Sequence, residues 1–190
     1  MINKDRVEFC IDAEAYKQIL NNILMKTPLR ENGVEVAVYM LLYGILDKTN
    51  YCVLDVSPFT QEQSWIYLKR EAKNESPIAD KTPDLVIVGK EFKYSNAELC
   101  KDNRSGAYCF VEIKNLAVIE YAKEVEIQKD NTDHYIWTNG LKWVYTYKNK
   151  TEVIADFGDY KNKSTIVYTE DYEIKFAELL NKLNSIEWEK

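Results

Sequence analysis

The chain predicts an α/β fold, a mixed central sheet flanked by helices in one domain over residues 1–190. Three observations lead there. Helical and strand-like periodicities alternate along it in the order α, α, β, α, β, β, α, β-hairpin, β, α, which suits a layered sheet better than a bundle or sandwich. Two short runs, 85–88 and 108–113, are so apolar that they read as strands covered on both faces. With 46% apolar and 29% charged residues, 6 Gly and 4 Pro, the composition is that of a folded globular domain.

Residues 12–25 set Ala15, Ile19, Leu20, Ile23 and Leu24 along one face behind an Asp12 cap, an amphipathic helix that Thr27-Pro28 ends. A second helix over 33–46 buries Val34, Ala37, Val38, Leu41, Leu42 and Ile45 and carries Glu35 in its first turn. Residues 51–56 read as a strand closed by Ser57-Pro58, and 60–73 as a helix with Trp65, Ile66 and Leu68 partly buried. Thr82-Pro83-Asp84 leads into the first buried strand, which Gly89 stops. Residues 90–106 are a polar loop, and 107–114 the second buried strand. A helix over 116–129 precedes strands at 134–138 and 141–147, whose junction Asn139-Gly140 carries the residues of a type I′ turn. A strand over 152–157 and an acidic helix over 172–183 complete the chain.

Residues 1–16 mix charges into their apolar positions and do not resemble a signal peptide, and no run reaches membrane-spanning length, so a cytoplasmic location is expected. The four cysteines, Cys10, Cys52, Cys100 and Cys109, form no Cys-x-x-Cys pair and are expected to be buried thiols. With His134 as the one histidine, neither a zinc cage nor a histidine-based triad can be assembled. Hydrolysis here must run on carboxylates, lysine and metal. The net charge of −6 opposes a phosphate-binding surface. Half of that excess lies in residues 170–190, where six acidic residues face three lysines.

Alternation puts Glu112 and Lys114 on one face of their strand and Val111 and Ile113 on the other. An acid and a base on an otherwise apolar strand are costly unless paired, hydrated at a cleft or bound to a cation. Asp84 opens the neighbouring strand and can lie beside Glu112. Together with the Ile113 carbonyl, two carboxylates make an all-oxygen donor set suited to Mg²⁺ or Mn²⁺. Such a cation would neutralise a scissile phosphate and activate the attacking water. Lys114 would orient or deprotonate the water, or stabilise the growing charge. Glu35 would complete the site directly or through water, or help hold a second metal, with Glu31 as its substitute. Lys90, Lys93, Lys101 and Arg104 are candidate phosphate contacts.

A Glu-bearing helix, Pro83-Asp84 heading an apolar strand and Glu112-Ile113-Lys114 ending the next resemble the PD-(D/E)XK nuclease superfamily. Residues 135–143, with Thr138-Asn139-Gly140 and Trp143, are similar to the hairpin in nuclease domains of type I restriction enzymes and their relatives. This resemblance spans a core of about 33–147 and implies a restriction-endonuclease-like sheet with its metal site at a cleft. It implies a Mg²⁺- or Mn²⁺-dependent endonuclease acting on DNA rather than RNA, in restriction, defence or mobile-element biology, with Glu35, Asp84, Glu112 and Lys114 as the site. Many relatives carry a Gln in the helix after Glu-x-Lys; here only the late Gln128 is present, and it is left out. A homodimer or a partner protein supplying specificity is expected. The alternative is a nuclease-fold protein that binds a partner without cutting.

Overall fold

The computed structural model describes residues 11–26, 31–46, 50–56, 83–92, 107–128, 132–162 and 164–189. Six strands form one mixed sheet in the order β1-β2-β3-β4-β5-β6: Tyr51–Asp55, Leu85–Gly89, Ala107–Ile113, His134–Thr138, Lys142–Tyr147 and Lys150–Asp156. All neighbours run antiparallel except β3 and β4, which are parallel. Among the described residues the helices are α1 (Ala13–Lys26), α2 (Glu31–Ile45), α3 (Ala122–Gln128) and α4 (Tyr172–Asn184).

Alternation along the strands divides the apolar residues into two cores. Leu85, Ile87, Cys109, Val111, Ile113, Ile136 and Trp143 face one side, where they pack with residues of α1, α2 and α4. Val86, Val88, Phe110, Tyr135, Trp137 and Val144 face the other with Val125 of α3. Every residue of β2 is buried, as its unbroken apolar run requires of a strand covered on both faces. No described helix is long and apolar enough to cross a membrane.

Several elements depart from their sequence reading for identifiable reasons. Helix α2 begins at Glu31, ahead of Gly33, so Glu31 occupies the first turn and Glu35 stands just beyond it. Gly33 is no helix boundary. Its bare Cα lets α1 approach, since a Cβ there would stand 3.0 Å from the Ile23 side chain. Ile45 is half-buried rather than core.

The turn between β4 and β5 is not type I′, because Gly140 has positive φ (85°) and Asn139 does not. Asn139 is instead a buried hub: its Oδ1 accepts the N–H groups of Leu141 (3.0 Å) and Lys142 (2.7 Å). Its Nδ2 donates to the carbonyls of Val118 (2.7 Å) and Leu116 (3.4 Å). Carbonyls claimed by this side chain are lost to a helical ladder, and 116–121 accordingly stays non-helical until α3 starts at Ala122. The Tyr16 hydroxyl donates to the Gly140 carbonyl (3.0 Å) and ties the turn to α1.

A small hairpin, β7 (Gly158–Lys161) with β8 (Thr165–Tyr168), was not expected from the sequence. Cys109 is buried as expected, but Cys52 is exposed, on the face of β1 opposite the buried Val53. Cys10, Cys100 and the helix read over 60–73 lie outside the described residues. Asn139→Ala is expected to cost about 3 kcal/mol, the penalty for stranding several buried backbone groups. Urea denaturation should show this as a lower midpoint at unchanged m-value.

Candidate active site

The site lies where β2 begins and β3 ends. The last paired position is Leu85 opposite Val111, and Asp84 stands one residue beyond it. The Asp84 N–H donates to the Val111 carbonyl (3.0 Å), and its Oδ2 accepts the N–H of Ile113 (2.5 Å). Asp84 thus grips the residues on both sides of Glu112. On its other side the Asp84 carbonyl accepts the Val56 N–H (3.0 Å), so β1 also holds this position.

Glu112 is only 4% exposed. It shares the face of Phe110, and its parallel partner on β4 is Trp137, which is fully buried against Tyr121 with ring centroids 5.8 Å apart. A carboxylate amid aromatic rings is poorly solvated and calls for a cation. Lys114 supplies one: its ammonium pairs with Glu112 Oε1 and lies 3.9 Å from Glu31 Oε1 on α2. Lys114 itself follows the end of β3, where its N–H donates to the Thr138 carbonyl (2.9 Å) and extends the parallel ladder. The Glu112–Lys114 pair is therefore a same-face ion pair on a strand that is buried rather than exposed.

Burial pushes the Asp84 carboxyl up, the Glu112 charge adds to it and Glu35 adds more, while the Ile113 N–H and Lys114 only partly compensate, leaving a pKa of about 8. For Lys114 burial acts to lower the pKa, but Glu112, Asp84 and Glu31 outweigh it and hold the ammonium above its ordinary value. An ammonium donates protons and hydrogen bonds. In the cation-free protein Lys114 is therefore held as an ammonium, a donor rather than a base.

All four residues predicted from sequence fall among the described residues. Asp84, Glu112 and Lys114 converge through hydrogen bonds, an ion pair and mutual electrostatics; Glu35 joins through its charge acting on Asp84. Glu31 is in contact with Lys114 rather than standing in for Glu35. Lys90 is exposed just beyond β2, whereas Lys93, Lys101 and Arg104 lie outside the described residues. His134 is buried on β4, its Nδ1 bonded to the Tyr145 hydroxyl (2.6 Å), and takes no part in the site. Trp137 walls the site beside Glu112, a role signalled in the sequence only by the aromatic run beside Asn139-Gly140.

The donors fit a hard divalent cation. Two carboxylates that repel one another at a partly buried point, with oxygen as their only donor atom, suit Mg²⁺ or Mn²⁺ and not a soft metal. Among the described residues no three His, Cys, Asp or Glu side chains form a cage. Mg²⁺ is ordinarily bound through one or two carboxylates, waters and substrate phosphate instead of such a cage.

The chain is similar to a chain in a solved structure described as the cryoEM structure of a DrdV–DNA complex, with TM-score 0.53 and 15% identity, covering 92% of this chain and 96% of that one. The likeness is one of fold. It bears out the mixed, helix-flanked sheet of the restriction-endonuclease-like arrangement. No protein-family model matches the sequence, and no curated protein does.

An Asp whose folded pKa is raised contributes stability below its unfolded value, and that contribution is lost as pH rises through the folded value. The cation-free protein is therefore expected to lose stability between about pH 4 and about pH 8. Asp84→Asn should flatten that dependence in chemical denaturation followed across the same window.

Proposed function

We propose that this protein is a metal-dependent nuclease that hydrolyses phosphodiester bonds, with DNA as its substrate class. One observation carries the reading: Asp84 grips both neighbours of the buried Glu112, while Lys114 is paired to that same Glu112. A structural ion pair would need only the last two. The third group, another carboxylate brought into a desolvated place against repulsion, is explained by a ligand that needs it. The DNA in the neighbour's complex supports the substrate class.

Asp84, Glu112 and the Ile113 carbonyl would hold Mg²⁺ or Mn²⁺, with Glu35 joining directly or through water. The ion would neutralise the scissile phosphate and make the attacking water more acidic. Asp84 and Glu112 fix where the phosphate docks, because the backbone ladder fixes them. Lys114 donates from its ammonium to the water or to the phosphoryl oxygens as their charge grows.

A second reading, a nuclease-fold protein that binds a protein partner without cutting, is favoured by the net charge of −6. Plasmid, single-stranded DNA and RNA incubated with Mg²⁺ or Mn²⁺ separate the two. Cleavage of DNA is expected, with Asp84→Ala, Glu112→Ala and Lys114→Ala each reducing it by about 10² or more. Intact substrates under every condition, from a protein shown to be folded, would favour the second reading.

A further inference from the structure

We infer that Glu31 is a positioning residue that holds the Lys114 ammonium at the site when Glu112 engages a cation, an inference that rests on the nuclease reading. Lys114 Nζ lies between two carboxylates, Glu112 of β3 and, at 3.9 Å, Glu31 at the start of α2. The two come from different layers of the fold. A lysine amine is a point charge on a flexible four-carbon stem, so one carboxylate leaves it free to swing with that partner. With a divalent ion held by Glu112, that residue's grip on the ammonium would weaken, and the two cations would repel. A second anchor on another element keeps the amine in reach of the substrate.

The arrangement of α2 supports a division of labour. Glu31 and Glu35 are four residues apart and so share a helix face. Glu31 is in contact with Lys114, whereas the Glu35 charge acts on Asp84. A first-turn carboxylate is also favoured by the helix dipole, which accounts for an acid at this position but not for its approach to the ammonium. At 45% side-chain exposure, Glu31 lies at the rim, open to solvent and outside the carboxylate pair that would take the ion.

The test compares wild type, Glu31→Gln and Glu31→Asp on a DNA substrate at saturating Mg²⁺. Glu31→Gln should lower kcat by a factor of about two to five, within the range one exposed ion pair is worth, with KM unchanged. Glu31→Asp should recover part of the loss. In a Lys114→Ala background Glu31→Gln should cost nothing further, as expected of residues acting through one another. Without reference to cleavage, the Lys114 ε-carbon resonance should move in Glu31→Gln while Mn²⁺ affinity and thermal midpoint stay at wild-type values. An unchanged kcat and resonance, a further loss in the Lys114→Ala background, or weakened Mn²⁺ binding would each overturn the inference, the last by making Glu31 a metal ligand. Failure of the wild type to cut any substrate defeats the nuclease reading and this inference together; cutting that is indifferent to Glu31 defeats the inference alone.

Discussion

The geometry of the site depends on Asp84 continuing a sheet that its strand has already left. Past the Leu85–Val111 pair, the Asp84 backbone still donates to Val111, and its carboxylate takes the Ile113 N–H that a strand carbonyl would otherwise take. A side chain used in this way cannot rotate without breaking the ladder. Its position is therefore as firm as that of the backbone, the kind of support that a reactive constellation needs. A carboxylate has two oxygens, so service to the ladder does not exhaust its capacity as a ligand. The same contacts keep Glu112 beside it, since its two neighbours on β3 are the residues held.

Burial then adds electrostatic repulsion to this geometry. Glu112 stands between Asp84 and the row of Trp137 on a face otherwise filled by Phe110, Val86 and Tyr135. Screening is weak there, and two carboxylates sharing the place oppose each other's ionisation. Lys114 reaches Glu112 and Glu31, yet burial and the Glu112 charge still hold the Asp84 carboxyl up. A divalent cation can offset more of that charge, and a phosphate would then meet a metal and an ammonium rather than an acidic surface. On the proposed reading this also tempers the objection raised by the acidic pI of about 5.0, because part of the negative charge would belong to metal ligands.

Much of this was legible in the sequence because strand periodicity is a strict rule. Glu112 and Lys114 could be placed on one face, and Val111 and Ile113 on the other, by counting alone. Asp84 could be placed from the apolar run it opens. What could not be read were interactions between segments distant in the chain. The α3 start depends on Asn139 capturing carbonyls more than twenty positions upstream, and the close approach of α1 to α2 on Gly33 fitting beneath Ile23. The β7–β8 hairpin was missed because its strands are four residues each and turn few apolar side chains to the core, among them Tyr160 from β7 and Ile166 from β8, too short a run for periodicity to register. Glu31 could be named as an alternative to Glu35, yet only the packing of α2 against the sheet shows that it meets Lys114.

The most direct test of the account is whether Asp84 and Glu112 receive a divalent ion. Electron paramagnetic resonance of Mn²⁺ titrated into the protein near neutral pH reads free ion without requiring substrate or turnover. The account predicts a saturable site that Mg²⁺ competes for and that Asp84→Asn and Glu112→Gln each abolish while the protein stays folded. Mn²⁺ left free at millimolar concentration by the wild type, or bound equally by the wild type and both variants, would contradict it.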